Sequence, residues 1–350
     1  MNKIAILYQA NLPPIKGGIQ KPMKPGGYSD SGADIAYELK INAIHVVTPI
    51  NNPNIKQDKD WVFPDTKEGM QNAINRGANT FWLNTILFEG HIIESFFNQD
   101  FQFVGQTPNL VDLFDDKFYT NALLQKNQIP IPKTQLITKQ NKDSYILDID
   151  FPLVLKPIRG RGSQGVSLVK NKKELDDKLK TIFSKNEYGN PIYVEEYLSC
   201  QEITVTVMPS GIYEIENEQK EFLKPWCLPA VKRFNHQNGI APYNGIVAVM
   251  ENSTVLDNNE LCNQAIIDTY RYCKKTAVLL NIKAPIRIDC RADENGSYFL
   301  IDVNMKPNMT GPSRQHRQNQ DSLTLLASRK IGWDYFGLLK NMINQSWKAC

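Results

Sequence analysis

Two segments leave this chain few ways to fold: Arg287-Ile288-Asp289 and Asp302-Val303-Asn304. Side chains alternate across a strand, so Arg287 and Asp289 share one face while Ile286, Ile288 and Cys290 take the other. The same parity puts Asp302 and Asn304 together and predicts Ile301 and Val303 buried behind them. Between the two runs lies Ala292-Asp293-Glu294-Asn295-Gly296-Ser297, whose Asn-Gly pair signals a hairpin turn. The runs therefore read as neighbouring strands that aim an arginine, two carboxylates and an amide at one spot. Oxygen ligands of this kind suit Mg²⁺, which is held by a few carboxylates plus substrate phosphates. From these residues alone, a solvent-exposed hairpin with a polar outer face is the alternative.

The rest of the chain alternates strand-like and helix-like runs, which predicts an α/β protein. A first unit, residues 1–115, opens with a strand at 3–8 and a loop at 11–27 rich in Pro, Gly and Lys. Lys16, Lys21 and Lys24 in that loop are candidates to meet an anionic substrate, with plain surface as the alternative. Ser29 or Asp30 caps a helix carrying Ala33, Ile35, Ala36 and Leu39, and strands follow at 43–48 and 80–85. A second unit, 116–205, holds a helix from Asp116-Lys117 to Gln128, stopped by Ile129-Pro130-Ile131-Pro132. Then come the strand Leu153-Val154-Leu155-Lys156, a glycine-rich stretch, a helix near 174–183 and a strand at 192–195. A third unit, 206–350, has further strands, a helix near 263–280, the hairpin, and a closing helix buried through Tyr335, Leu338, Leu339, Met342 and Ile343.

Composition excludes several classes. A chain of 350 residues is too long for one small core. The net charge of +3, with no basic stripe of interleaved aromatics, gives no case for nucleic acid. The charged run at 170–180 is the wet face of an amphipathic helix whose dry face is Leu175, Leu179, Ile182 and Phe183. The 6 cysteines form no CxxC pair, and the 4 histidines show no ligand spacing, so neither a zinc site nor a disulfide scaffold is expected. No apolar run approaches a membrane span, and a reducing cytoplasm is the expected location.

Lys156 precedes Pro157-Ile158-Arg159-Gly160-Arg161-Gly162-Ser163-Gln164-Gly165, where glycines let backbone N–H groups face a phosphate chain. The spacing fits neither Walker A nor GxGxxG. After the next strand, Tyr193-Val194-Glu195-Glu196-Tyr197-Leu198-Ser199-Cys200-Gln201-Glu202 places backbone groups that can read an adenine edge and a carboxylate for ribose hydroxyls. An ordinary hairpin and a solvated loop are the alternatives for each segment taken alone.

In sequence order these pieces resemble the ATP-grasp superfamily, and within it the D-alanine–D-alanine ligase-like carboxylate–amine ligases. The resemblance runs from Asp116-Lys117 through Phe151-Pro152-Leu153-Val154-Leu155-Lys156-Pro157, Val194-Glu195-Glu196-Tyr197 and Glu202-Ile203-Thr204-Val205. It continues through Arg287-Ile288-Asp289 and Asp302-Val303-Asn304-Met305-Lys306-Pro307-Asn308-Met309-Thr310, spanning roughly residues 110–345. It implies an ATP-grasp fold, two α+β subdomains gripping ATP, preceded by a Rossmann-like N-terminal α/β domain. By the same resemblance Lys117 and Lys156 are nucleotide-phosphate lysines, Ser163 lies in a lid, and Glu195, Glu196 and Leu198 hold adenine. Glu202 takes the ribose position, Lys232 a third phosphate contact, and Asp289, Asp302 and Asn304 the magnesium ligands. Arg287 steadies developing negative charge, and Ser313 sits near the substrate carboxylate.

Departures from the family pattern accompany these matches. Asp302 stands where the bridging ligand is usually Glu, Asn308 replaces a glycine, and Gly162 replaces a serine. Gly26-Gly27-Tyr28-Ser29-Asp30 echoes a Gly-Gly-x-Ser-x-Glu signature but lacks its glutamate. Arg314, His316 and Arg317 have no counterparts and are candidates for holding a second carboxylate. The resemblance implies ATP with Mg²⁺ (two ions, Mn²⁺ as a substitute), small-molecule carboxylate and amine substrates, and a homodimer. Nucleic acid and membrane are not expected partners. The expected reaction joins a carboxylate to an amine through an acyl phosphate. Alternatives are a small-molecule kinase, D-alanine–D-alanine ligase proper, and a nucleotide-binding scaffold without turnover.

Overall fold

The structure, a computed structural model, describes residues 2–160, 164–185, 188–237, 239–241 and 248–349. Ser163, with the rest of the glycine-rich lid's centre, lies outside the described residues.

The N-terminal unit contains β1 (Ile4–Tyr8), α1 (Ser29–Ile41), β2 (Phe63–Pro64), α2 (Lys67–Asn75), β3 (Thr80–Asn84), β4 (Gln102–Val104) and α3 (Pro108–Phe114). Its sheet is parallel, in the order β2-β1-β3-β4. β1 and β3 read as near-continuous apolar runs because helices and neighbouring units cover both faces. Two expectations are corrected here. Residues 43–48 form no strand; Ile4 makes only an isolated bridge to Val46, and Ala43 sits at φ 61, which breaks the extended run. Tyr28, not Ser29 or Asp30, occupies the residue before α1.

The middle unit comprises α4 (Lys117–Lys126), β5 (Thr134–Ile137), β6 (Leu153–Pro157), β7 (Ser167–Val169), α5 (Lys172–Lys185) and β8 (Ile192–Glu196). Its antiparallel sheet has the order β5-β8-β6-β7. α5 buries Leu175, Leu179 and Phe183 against Leu153, Leu155 and Val194, as its helical spacing predicts. This core is separate from the others.

The C-terminal unit begins with β9 (Glu202–Met208), which the sequence assigned to the middle unit as far as residue 205 but which is central to the third sheet. It continues through β10 (Gly211–Ile215), β11 (Glu218–Phe222), β12 (Trp226–Cys227), β13 (Val231–Arg233), β14 (Ser253–Val255), α6 (Asn258–Leu261) and α7 (Gln264–Leu279). β15 (Ile286–Ala292), β16 (Tyr298–Asn304), α8 (Leu323–Arg329) and α9 (Tyr335–Asn344) complete it. The sheet runs β14-β13-β9-β15-β16, with β12 also on β9. Hydrophobic clusters run continuously from this sheet and its helices into the N-terminal unit, so these two units form one body. Trp347 bonds both ways with Phe103 and so covers the free edge of β4. No helix among the described residues is long and apolar enough to cross a membrane.

β15 and β16 pair antiparallel as the Asn-Gly turn predicts, with Arg287 opposite Asn304, Ile288 opposite Val303 and Asp289 opposite Asp302. The register then shifts, and Cys290 faces Leu300. The bulge leaves Ile301 as the extra residue and reverses the alternation beyond it. Leu300 therefore enters the core, Val303 packs partly against it, and Ile301 faces the cleft instead of being buried behind the carboxylates.

Candidate active site

The middle sheet, the C-terminal sheet and the loop before α1 enclose one cleft of about 840 Å³. Each sheet contributes the polar face of an alternating strand. β6 and β8 turn Val154, Lys156 and Glu195 inward while Leu153, Leu155 and Val194 enter the middle core. From β9, Glu202 and Thr204 take the opposite face from Ile203 and Val205. Val154, Leu198 and Ile301 add apolar surface beside Lys156, a combination usual in small-molecule pockets.

Several of the charges within the cleft are paired. Lys117, at the start of α4, donates to Asp302. Burial opposes the charged form of both groups, but their mutual attraction outweighs it; the Asp302 carboxyl is held below its usual range and the Lys117 ammonium above its own. Arg287 donates from Nε and Nη2 to the two oxygens of Asp289 at 3.2 and 3.3 Å, and Thr204 Oγ1 donates to Asp289 at 2.8 Å. Asn304 Oδ1 accepts the Lys306 N–H at 3.0 Å. Lys156 donates to Glu195 and to the Ile301 carbonyl at 3.3 Å. Burial pushes the Glu195 carboxyl up, against the pull of Lys156.

Glu202 is a buried acceptor at the far wall. His236 Nε2 lies 2.9 Å from its Oε2, and the Arg291 guanidinium 3.7 Å away. Burial raises the Glu202 carboxyl, but the His236 bond and charge, with Arg291 and Arg233, outweigh burial and hold it low. Arg291 also donates to the Gly239 carbonyl at 2.7 Å and to the Tyr197 hydroxyl at 3.2 Å, fastening both residues to the C-terminal sheet. Glu196 lines the cleft and accepts the Lys133 N–H at 3.4 Å, while Leu198 is buried beside it.

Most of the residues expected to share a site thus meet in one cleft: Lys117, Lys156, Glu195, Glu196, Leu198, Glu202, Arg287, Asp289, Asp302 and Asn304. Two do not. Lys232 pairs with Ile203 in the β13–β9 register and takes the face turned away from the cleft, where it bonds to Glu260 at 2.8 Å. Its neighbour Arg233 pairs with Glu202 and lines the cleft. Ser313 donates to the Asp34 carbonyl at 3.1 Å, drawn into the N-terminal unit by Arg314 next to it, and Ser322 lines the cleft instead.

Arg314 is wholly buried, donating to Asp34 at 2.8 Å and Asp58 at 2.7 Å. Arg317 bonds Asp34 and, at 3.3 Å, Asp30. The carboxylates these arginines hold are therefore the protein's own, which corrects their reading as substrate groups. Among the loop lysines, Lys16 pairs with Asp112 outside the cleft, while Lys21 and Lys24 line it, paired with Asp115 and Asp30. Arg233, Thr204, Ile301 and Ser322 were not foreseen. Thr204 was legible from its parity with Glu202; the other three depend on pairing, a bulge and a long loop.

A nucleotide-sized cleft between two antiparallel sheets, lined by paired carboxylates and phosphate-matching cations, is the arrangement of the ATP-grasp class. The family described as D-ala D-ala ligase C-terminus matches residues 123–344, and this chain belongs to that family. D-alanine–D-alanine ligase of Marinomonas sp. is 26% identical over 246 residues, covering 70% of this chain and 69% of that protein. The enzyme of the same name from Francisella philomiragia is 22% identical over 231 residues, covering 66% and 67%. In fold, the chain is similar to D-alanine–D-alanine ligase from Bacillus anthracis complexed with ATP: TM-score 0.66, 17% identity, 99% of this chain and 96% of that one. VanG D-Ala:D-Ser ligase from Enterococcus faecalis gives 0.64 at 14% identity, covering 99% of each chain.

Proposed function

We propose that this protein is an ATP-dependent ligase that joins a carboxylate to an amine, releasing ADP and phosphate. One observation carries the reading: Asp289 and Asp302 stand directly opposite each other on β15 and β16, with Arg287 opposite Asn304 two residues along, in the cleft that also holds Lys117 and Lys156. Family membership over residues 123–344 supports it.

The donor set fits a hard divalent cation. Asp289, Asp302 and Asn304 present side-chain oxygens on one face of the hairpin, where Lys117 and Arg287 hold the two carboxylates. Mg²⁺ held by these residues would supply charge neutralisation for the phosphates. Lys117, Lys156 and Arg233 bind the phosphate chain, and Glu202 accepts from the ribose. The substrate carboxylate oxygen attacks the γ-phosphorus and ADP leaves, giving an acyl phosphate. The amine then attacks the acyl carbon, inorganic phosphate leaves, and the surplus ammonium proton passes to solvent. Arg287 stabilises the oxyanion between these events; one such donor is worth about 3–4 kcal/mol in a transition state. D-alanine is the substrate in the relatives' names, and amino acids are the first substrates to test.

The deciding experiment is phosphate release with Mg²⁺–ATP across pairs of amino acids, with mass spectrometry of the products. A mass equal to two amino acids less one water is expected. A stable phosphorylated product without amide would replace the ligase reading with a kinase.

A further inference from the structure

We infer that Thr204 is a positioning residue for the cation site: its hydroxyl, on the strand beside Asp289, fixes the orientation of that carboxylate and so sets the affinity for the divalent ion. The inference rests on the ligase reading above and adds a residue to its site. Thr204 acts through Asp289, from beneath it.

β9 reads Glu202-Ile203-Thr204-Val205-Thr206-Val207-Met208. Ile203, Val205 and Val207 enter the core, and the other face carries Glu202, Thr204 and Thr206. Thr204 and Thr206 are each only 1% exposed. A buried hydroxyl costs free energy unless it is hydrogen-bonded, and valine has nearly the same shape without that demand. Each hydroxyl therefore requires a partner, and the two find different ones. Thr204 stands opposite Asp289 in the β9–β15 register, and Thr206 opposite Arg287. Thr204 Oγ1 donates to Asp289 Oδ1 at 2.8 Å. Thr206 Oγ1 instead lies 3.2 Å from Thr324 Oγ1 on α8.

The two side chains that donate to Asp289 differ in stiffness. Arg287 sits two residues away on the same strand and reaches the carboxylate through a long, jointed side chain, at 3.2 and 3.3 Å. Thr204 is short and β-branched, with few rotamers open to it, and its bond is the shorter one. The arginine also has a second task in the proposed reaction, because charge developing on the oxyanion draws its guanidinium. Thr204 is then the donor that keeps Asp289 in place.

That restraint acts against a real force. Asp302 stands opposite Asp289 on β16, and carboxylates side by side repel, an effect that Lys117 and Arg287 reduce. Held from the β9 side, Asp289 stays converged with Asp302 before the ion arrives. Groups that orient a metal's ligands in this way carry about ten- to a hundredfold of affinity.

The test counts bound ions as well as turnover. Mn²⁺ is titrated into full-length protein with ADP present, and the free ion is followed by its electron paramagnetic resonance signal against an ADP blank. Thr204→Val is expected to weaken Mn²⁺ binding at least about tenfold, while Thr204→Ser and Thr206→Val stay within about twofold of wild type. ADP binding in EDTA, measured by calorimetry, is expected to be the same in every variant, which shows each to be folded. Should Thr204→Val lose it, Thr204→Ala carries the comparison. Unchanged Mn²⁺ affinity in Thr204→Val overturns the inference. So does an equal loss in Thr206→Val, which would make the effect one of strand packing. A wild type that binds no Mn²⁺ removes the metal site and this inference together. Absence of phosphate release from every amino-acid pair, with the Thr204→Val difference intact, would instead remove the ligase reading and leave Thr204 standing.

Discussion

Lys117 donates to Asp302 across 185 residues of sequence, tying the start of the middle unit to the last strand of the C-terminal sheet. A proposed phosphate lysine and a proposed metal ligand are thereby one ion pair at the cleft floor. Replacing Asp302 by Asn is expected to cut Mg²⁺-dependent ADP release about a hundredfold or more. The fold is expected to survive, because β16 is an edge strand and the side chain points into the cleft. ADP release in a coupled assay, with near-ultraviolet circular dichroism as the control, checks this; wild-type turnover would remove Asp302 from the metal site.

Arg233 and Lys232 are adjacent in sequence and opposite in role. Arg233→Met is expected to raise the KM for ATP about tenfold or more, the usual cost of losing a charged hydrogen bond. Lys232→Met, at a half-buried pair with Glu260 away from the cleft, should change it by less than about twofold. Initial-rate kinetics on the two variants decide, and the reverse ranking would restore the lysine as the phosphate contact.

Glu202 links stability to pH. Its carboxyl lies below the ordinary 4.5 in the folded protein, because the His236 bond and neighbouring arginines outweigh burial. A depressed folded value adds stability above the unfolded value, and that stability disappears as pH falls through the depressed one. Glu202→Gln should therefore melt below wild type near neutral pH, with the gap closing as the buffer is taken below about pH 4.5. Thermal melts from about pH 7 down to pH 3 test it; a constant gap would mean that the carboxylate's charge is not what stabilises this wall.

Arg314 clamps the C-terminal unit to α1. Removing one member of a buried ion pair costs about 3–5 kcal/mol, because the partner charge is stranded. Arg314→Met should destabilise by about that amount, and the double variant Arg314→Met/Asp34→Asn by less than the single one. Denaturant unfolding of the set checks it; strictly additive losses would show that the two residues do not act as a pair.

How far the site could be read beforehand varies by element. The β15–β16 hairpin was legible because alternation and an Asn-Gly turn are local properties of the chain. That Lys156, Glu195 and Glu202 share a site was expected from the family resemblance, which the order of their segments carries. Residues 43–48 misled because an apolar, β-branched run resembles a strand even when only one bridge forms. Ile301 faces the cleft rather than the core because a bulge resets parity at a point no periodicity reveals.

Within each segment, the amino-acid order determined which side chains share a face, since backbone stereochemistry and the avoidance of buried unpaired polar groups act over a few residues. Which faces meet was decided only in the folded molecule. The β13 register selects Arg233 over Lys232, Arg314 withdraws Ser313 from the cleft, and the loop before α1 carries Lys24 and Tyr28 up to Lys306. Those outcomes depend on contacts between residues far apart in the chain, whose free energy comes from burial and charge pairing and leaves no local periodic trace.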